Sequence, residues 1–180
     1  MLRIFRDYWR LSLEDDGNSY DTLLMNKLSD FFITRYHLNM ARKTLAADTL
    51  NKYMIRYIHS MNFYTNGFGK VGRYYDLLVW RSQKDTSYKF SVLNEKIVAP
   101  VVFMDNFISL GWEDYATLGK HYPGGWTTHD AIFAVKKAYD VNSEKFLVGL
   151  LAHEGRHFAD YAEFPQLASA NLEYRANWSN

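Results

Sequence analysis

The sequence predicts an α+β fold, because helical and strand-like hydrophobic patterns follow one another along the chain. Apolar residues in the first third recur every three or four positions, whereas the middle contains short runs rich in Val, Ile and aromatic residues. The last third returns to a helical period. At 180 residues the chain suits one domain. We therefore expect a single domain over 1–180, with a mainly helical part over 1–85 and a mixed core over 86–180.

Two amphipathic helices are predicted in the first third. Ser19 can cap the first helix, and the second begins near Asp48 or Thr49. The apolar series of the first is Leu23, Leu24, Leu28, Phe31 and Phe32. That of the second is Leu50, Met54, Tyr57, Ile58 and Met61. Residues 66–69, Asn-Gly-Phe-Gly, then break the helical pattern.

The middle of the chain predicts strands. Residues 88–93 alternate loosely, and 97–103 suit a buried strand, although Pro100 indicates an edge strand or an irregular one. Residues 119–125 have the composition of a loop. For 131–139 we favour a strand over the start of a helix, because its apolar residues are strand formers and a turn-like Asp-Val-Asn follows.

A long helix is the clearest element of the last third. Asn142 or Ser143 can cap it, and Glu144 in its first turn complements the helix dipole. The helical pattern then continues to Pro165, which ends it. The apolar stretch over 146–151 predicts burial of this part of the helix. A shorter helix is expected from about residue 171 to the chain end.

Composition excludes several classes of protein. The 21 basic and 20 acidic residues give a net charge of +1, so nucleic acid is not an expected partner. The chain has no cysteine, and any metal must be held by His, Asp or Glu. No apolar run approaches the roughly 20 residues of a membrane helix, and the N-terminus does not resemble a signal peptide. We expect no membrane partner and, if Met1 is the natural start, a cytoplasmic protein. The chain stops soon after a segment with a helical pattern, which is compatible with a longer natural chain, and oligomeric state has no sequence signal.

The chemistry of the chain is concentrated in His153-Glu154-Gly155-Arg156-His157, an H-E-x-x-H motif. Residues four apart lie on one face of a helix, so both imidazoles can reach one ion, most simply zinc. Glu154 projects beside them and can act as a general base toward a zinc-activated water. The competing interpretation is a pair of core histidines that are hydrogen-bonded to their neighbours. Iron or manganese would also suit two histidines and a carboxylate.

The segment FLVGLLAHEGRHFADY resembles the active-site helix of the zincin metallopeptidases. The resemblance implies a five-stranded twisted sheet above the helix, with a cleft along an edge strand. Residues 124–140 occupy the place of that edge strand and would pair with an extended peptide. The resemblance is confined to the last third, and residues 1–85 match no family.

The family pattern also points to a third metal ligand. No histidine follows His157, which excludes the metzincin arrangement. Glu173, on the last predicted helix, resembles the glutamate ligand of the gluzincins, at a somewhat shorter interval from the motif. A tight turn at 164–165 would allow this interval. Asp160 and Glu163 are rival ligands. We prefer Asp160 as the acceptor of an imidazole N–H, with an N–H or Arg partner as the alternative, and Glu163 as a solvated carboxylate.

Other side chains have weaker claims. Arg156 is expected at the surface, whereas Arg175 can pair with an acid or bind substrate. Tyr161 or Tyr174 can donate to an oxyanion. His121, His129 and the pair Gly124-Gly125 can line the cleft. Ordinary packing or solvent exposure is the alternative for each of these residues.

Two functions therefore stay open. The first is a zinc-dependent hydrolase, a gluzincin-like metallopeptidase with one zinc ion and a peptide or protein substrate. The second is a non-catalytic zincin-like binding or assembly module, against which the intact Glu154 argues. In either case the N-terminal helices can act as a lid over the site.

Overall fold

The computed structural model describes residues 1–15, 17–39, 44–92, 95–164 and 166–177. The helices are α1 (Leu2–Glu14), α2 (Asp21–Arg35), α3 (Ala47–His59), α4 (Trp112–Ala116), α5 (Glu144–Phe146), α6 (His153–Glu163) and α7 (Ser169–Asn177). The strands are β1 (Phe68–Val71), β2 (Tyr74–Val92), β3 (Glu95–Leu110), β4 (Gly125–Thr127) and β5 (Ile132–Val135). A 3₁₀ turn covers Lys136–Ala138, and a π-helical segment covers Leu147–Ala152.

Five strands form one mixed sheet in the order β1-β2-β3-β5-β4. β1 is antiparallel to β2, β3 is parallel to β5, and β4 is antiparallel to β5. The predicted α+β class is thereby confirmed. The chain divides into two compact units, Met1–Arg81 with Phe107–Tyr122 and Ser82–Asn106 with Pro123–Asn180. Compact units need not fold separately, so the single domain with a boundary near residue 85 stays a prediction.

Three amphipathic helices build the core of the first unit. Their buried residues recur at helical spacing. In order, they are Phe5, Tyr8 and Trp9 of α1, Leu24, Leu28 and Phe32 of α2, and Leu50, Met54 and Ile58 of α3. The two predicted helices correspond to α2 and α3, although β1 and the first part of β2 also lie within 1–85. Ser19 is not the cap of α2, because α2 begins at Asp21 and Tyr20 occupies the cap position without a side-chain hydrogen bond.

The strands are longer than the sequence pattern predicts. Residues 88–92 of the predicted segment 88–93 lie within β2, Leu93 falls outside the described residues, and 97–103 lies within β3. β5 ends at Val135, and a 3₁₀ turn replaces part of the rest of the predicted strand. β3 has neighbours on both sides in the sheet order, so the predicted edge position of Pro100 is wrong. Pro100 is exposed, and the register with β5 begins at the next residue, Val101.

In the second unit, the chain is helical from Glu144 to Glu163, as predicted. Ser143 is the cap, since its Oγ accepts a 3.2 Å hydrogen bond from the Phe146 N–H. Phe146, Leu150 and Leu151 are buried in a cluster that includes Ile132 of β5.

The expected burial of the whole apolar stretch is wrong in part, because Leu147 and Val148 are exposed. The π-helical segment was not predicted. α7 begins at Ser169, slightly before its predicted start. Pro165 and residues 178–180, which the predicted helix ends included, lie outside the described residues. None of the helices in the described ranges combines the length and hydropathy needed to cross a membrane.

Asp76, buried in the first unit, gives the fold a predicted pH dependence. Burial raises the pKa of its carboxyl to about 6, against hydrogen bonds from the N–H groups of Trp112 and Leu77. Because this pKa exceeds the value of 3.8 for a free carboxyl, the folded chain retains a proton that the unfolded chain releases. The free energy of unfolding should therefore fall as the pH rises from about 4 to 6.

Asp76→Asn keeps an oxygen acceptor for both N–H groups and should remove this fall. Between pH 4 and pH 7, the free energy of unfolding of Asp76→Asn should rise by about 2 kcal/mol relative to that of wild type, measured by urea unfolding of both proteins. Asp30→Asn, an exposed change in the same unit, should leave the pH dependence as it is. An unchanged pH dependence in Asp76→Asn would contradict this account.

Candidate metal centre

The first turn of α6 presents His153 and His157 on one face. Their Nε2 atoms lie 3.2 Å apart, with the rings nearly perpendicular at a centroid distance of 4.8 Å. His157 is buried, whereas His153 is partly exposed. Both rings therefore direct the same nitrogen toward one point at the surface of the second unit.

Glu173 of α7 completes the cluster. Its Oε2 lies 3.5 Å from Nε2 of His153, and its Oε1 lies 3.4 Å from Nε2 of His157. The three residues can each offer one ligand atom within 4.8 Å of the others. The Glu173 side chain is 60% exposed, so solvent can reach the cluster. The structure thus brings together the two histidines and the glutamate that the sequence analysis named.

These separations suit a metal ion. A tetrahedral zinc ion with bonds of about 2.0–2.1 Å holds its ligand atoms about 3.3 Å apart. The separation of 3.2 Å between the two Nε2 atoms lies close to that value, and a different oxygen of the Glu173 carboxylate lies 3.5 Å from one nitrogen and 3.4 Å from the other. Without an ion, the contact of the two rings is a hydrogen bond in which one Nε2 donates and the other accepts. Two imidazoles and a carboxylate are ligands that zinc prefers, so the donor chemistry fits as well.

Glu154 is held by the edge strand of the sheet. The Thr127 hydroxyl of β4 donates to Glu154 Oε2 at 2.7 Å and also lies 3.0 Å from the Glu154 carbonyl oxygen. Thr127 was not predicted as a site residue. The sequence feature that could have identified Thr127 is its position in the predicted edge strand, two residues after Gly125, since alternate strand residues share a face.

A cleft of about 290 Å³ opens beside the cluster. Its lining residues come from β4, α6 and α7: Gly125, Trp126, Thr127, His153, Glu154, His157, Tyr161, Leu172 and Glu173. The cleft therefore combines the three potential ligands and Glu154 with apolar and aromatic walls. Trp126 and Leu172 were also missed from the sequence.

Of the two tyrosines proposed as oxyanion donors, only Tyr161 lines this cleft. The His129 ring lies 4.7 Å from the Tyr161 ring, centroid to centroid, which places His129 near the cleft. Tyr174 is largely exposed. His121 belongs to the first unit.

Packing accounts for the glycines around the site. A Cβ on Gly124 would overlap the Tyr139 hydroxyl, and one on Gly125 would overlap the Phe133 carbonyl oxygen. Within the motif itself, a Cβ on Gly155 would overlap the Phe90 ring of β2. Close contact with the protein therefore explains these positions without a substrate.

Asp160 is fully buried and binds arginines. Arg175 donates to both of its oxygens, from Nε at 2.8 Å and from Nη2 at 3.0 Å, and Arg156 Nη2 forms an ion pair at 2.5 Å. Burial raises the pKa of Asp160, but the contacts with Arg175 and Arg156 outweigh it, so the pKa lies below its ordinary value. The predicted imidazole contact is wrong. His157 Nδ1 is buried and has no hydrogen-bond partner among the described residues.

The predicted surface position of Arg156 is also wrong. Its side chain is buried, and Nη1 donates to Glu95 Oε2 at 2.8 Å. Glu163 is exposed at the end of α6, 3.7 Å from Arg156, in keeping with a solvated carboxylate. Arg175 pairs with an acid, as one of its two predicted roles required.

Comparisons of the chain with protein-family models, with curated proteins and with solved structures find no match.

Two glycines of the motif helix should respond oppositely to alanine. Gly155→Ala forces the new Cβ into the Phe90 ring, and we expect a loss of about 1–3 kcal/mol in the free energy of unfolding. Gly149→Ala meets nothing within 4 Å and should gain about 0.4–1 kcal/mol by restricting the unfolded chain. Thermal and urea unfolding of both variants measure the difference. Equal effects would show that Phe90 does not contact the motif.

Proposed function

We propose that this chain is a zinc-dependent hydrolase of the zincin type, and that it cleaves peptide bonds. The observation that carries the proposal is the approach of the Glu173 carboxylate, whose two oxygens lie 3.5 and 3.4 Å from the Nε2 atoms of His153 and His157, to a pair of imidazoles on the helix that also carries Glu154. The mixed sheet with β4 at its edge, and the motif helix that packs against β5, agree with the zincin plan.

His153, His157 and Glu173 would hold the ion. A bound zinc ion supplies Lewis acidity, which makes hydroxide available near pH 7. Glu154 accepts the proton of the attacking water and later passes it to the leaving amine. Thr127 holds the Glu154 carboxylate at the cleft wall. Tyr161, which lines the same cleft, donates to the oxyanion that develops on the substrate carbonyl.

The edge strand favours a peptide over a small substrate. β4 pairs with β5 on one side only and borders the cleft. An extended peptide can add to the other side of β4 by main-chain hydrogen bonds. Its scissile carbonyl would then pass in front of Glu154, which Thr127 of the same strand contacts.

The alternative is a zincin-like module that binds a partner or takes part in assembly, without catalysis. The observation that favours it is that Thr127 already engages the Glu154 carboxylate, so the acid needs no water for a partner. Metal binding and turnover, measured on the same protein, separate the two functions.

The purified chain should contain about one equivalent of zinc, and Glu154→Gln should retain it while losing hydrolysis by at least about 100-fold. Elemental analysis measures the metal, and a library of fluorogenic peptides measures turnover. Glu163→Gln is the matched control, because this exposed glutamate lies on the same helix outside the cleft. It should keep both properties.

The outcomes distinguish the alternatives. Zinc bound without hydrolysis of any peptide would favour the binding module. A chain that binds no zinc from a metal-buffered solution would contradict both functions.

A further inference from the structure

An ion pair between the half-buried Arg175 and the buried Asp160 joins the two helices that carry the potential metal ligands. Asp160 lies one turn after His157 on α6, and Arg175 lies two residues after Glu173 on α7. The Arg175 guanidinium binds both oxygens of the Asp160 carboxylate, which is fully buried. Bidentate contacts of this kind fix orientation as well as distance.

Glu173 itself is weakly constrained. Its side chain is 60% exposed, and its polar contacts among the described residues are with the two histidines. A flexible, exposed side chain loses entropy when it is fixed, so the position of its backbone decides how readily it reaches the ion. That backbone belongs to α7, a helix of nine residues, which is too short to be stable by itself. Contacts with the rest of the unit must therefore position α7.

The contacts of α7 leave an important part to Arg175. Among its described side chains, the buried apolar ones are Leu172 and Ala176. Two buried apolar side chains constrain the rotation of this short helix less closely than a bidentate ion pair does. The charge of Asp160 does not require Arg175 for neutralisation, because Arg156 on the same helix already pairs with it.

We infer that the Asp160–Arg175 pair is a positioning device that holds α7 so that Glu173 reaches the metal. Arg156 contributes by fixing the Asp160 carboxylate from within α6. Arg156 also contacts Glu95, which connects the Asp160 carboxylate, through Arg156, to β3. The inference rests on the metal site of the proposed function. It assigns Asp160 a role different from the orientation of an imidazole.

Arg175→Lys tests the inference, because lysine keeps the charge but lacks the planar fork. Zinc affinity is measured by competition with a chromophoric chelator, on wild type, Arg175→Lys, Glu173→Gln and the double variant. We expect Arg175→Lys to weaken zinc binding by about 10-fold or more, in the range found for groups that orient metal ligands. In the Glu173→Gln background, the same change should have little further effect.

This non-additivity separates positioning from general destabilisation. Lys136→Gln, which removes an exposed ion pair with Asp105 in the same unit, is the matched control and should leave zinc affinity unchanged. Arg175→Met is a second variant that removes the charge and keeps much of the stem. Asp160 retains Arg156 in both Arg175 variants, and circular dichroism verifies that each is folded. If the methionine variant does not fold, the lysine variant decides.

Wild-type zinc affinity in Arg175→Lys would overturn the inference, as would an equal loss with and without Glu173. Failure of the proposed function has a different signature. If the wild-type chain does not bind zinc, the proposed metal site and this inference both fail. If it binds zinc but does not cleave peptides, only the proposed hydrolase activity fails, and the affinity test still applies.

Discussion

Two imidazole nitrogens 3.2 Å apart impose the constraint on which the site depends. Two lone pairs repel each other at this distance, so either one nitrogen carries a hydrogen that it donates to the other, or a metal ion lies between them. The helix sets the distance, because residues four apart lie one above the other. Glu173 adds a carboxylate to both nitrogens, which favours a cation bound by three ligands over a single hydrogen bond.

The rest of the second unit holds this one helical turn in place. Phe146, Leu150 and Leu151 anchor the preceding segment in the core beside β5. Gly155 allows the Phe90 ring to pack directly against the motif. From β4, Thr127 fixes the Glu154 carboxylate on the side of the cleft. Apolar packing thus sets the height and rotation of the helix, and a few polar contacts aim its functional groups.

Local patterns predicted the helices and the two histidines, because helical spacing and the H-E-x-x-H motif depend on neighbouring residues alone, whereas Glu173 was predicted from the resemblance to the gluzincins. Features that depend on residues distant in sequence were missed or wrong. The burial of Arg156 requires Glu95, and the Asp160 contact requires Arg175 from another helix. Pro100 indicated an edge or irregular strand because proline cannot donate to a neighbouring strand. Its position is explained by the pairing of β3 with β5, which begins only at the next residue. Thr127 acquires a role only when β4 reaches α6.

The most direct test is a crystal structure of the zinc-loaded chain with anomalous data on both sides of the zinc absorption edge. The account predicts one anomalous peak, bonded to Nε2 of His153, Nε2 of His157 and one oxygen of Glu173 at about 2.0–2.2 Å, with Glu154 beside it and not a ligand. A peak elsewhere, or none at this cluster with the two rings joined by a hydrogen bond, would contradict it.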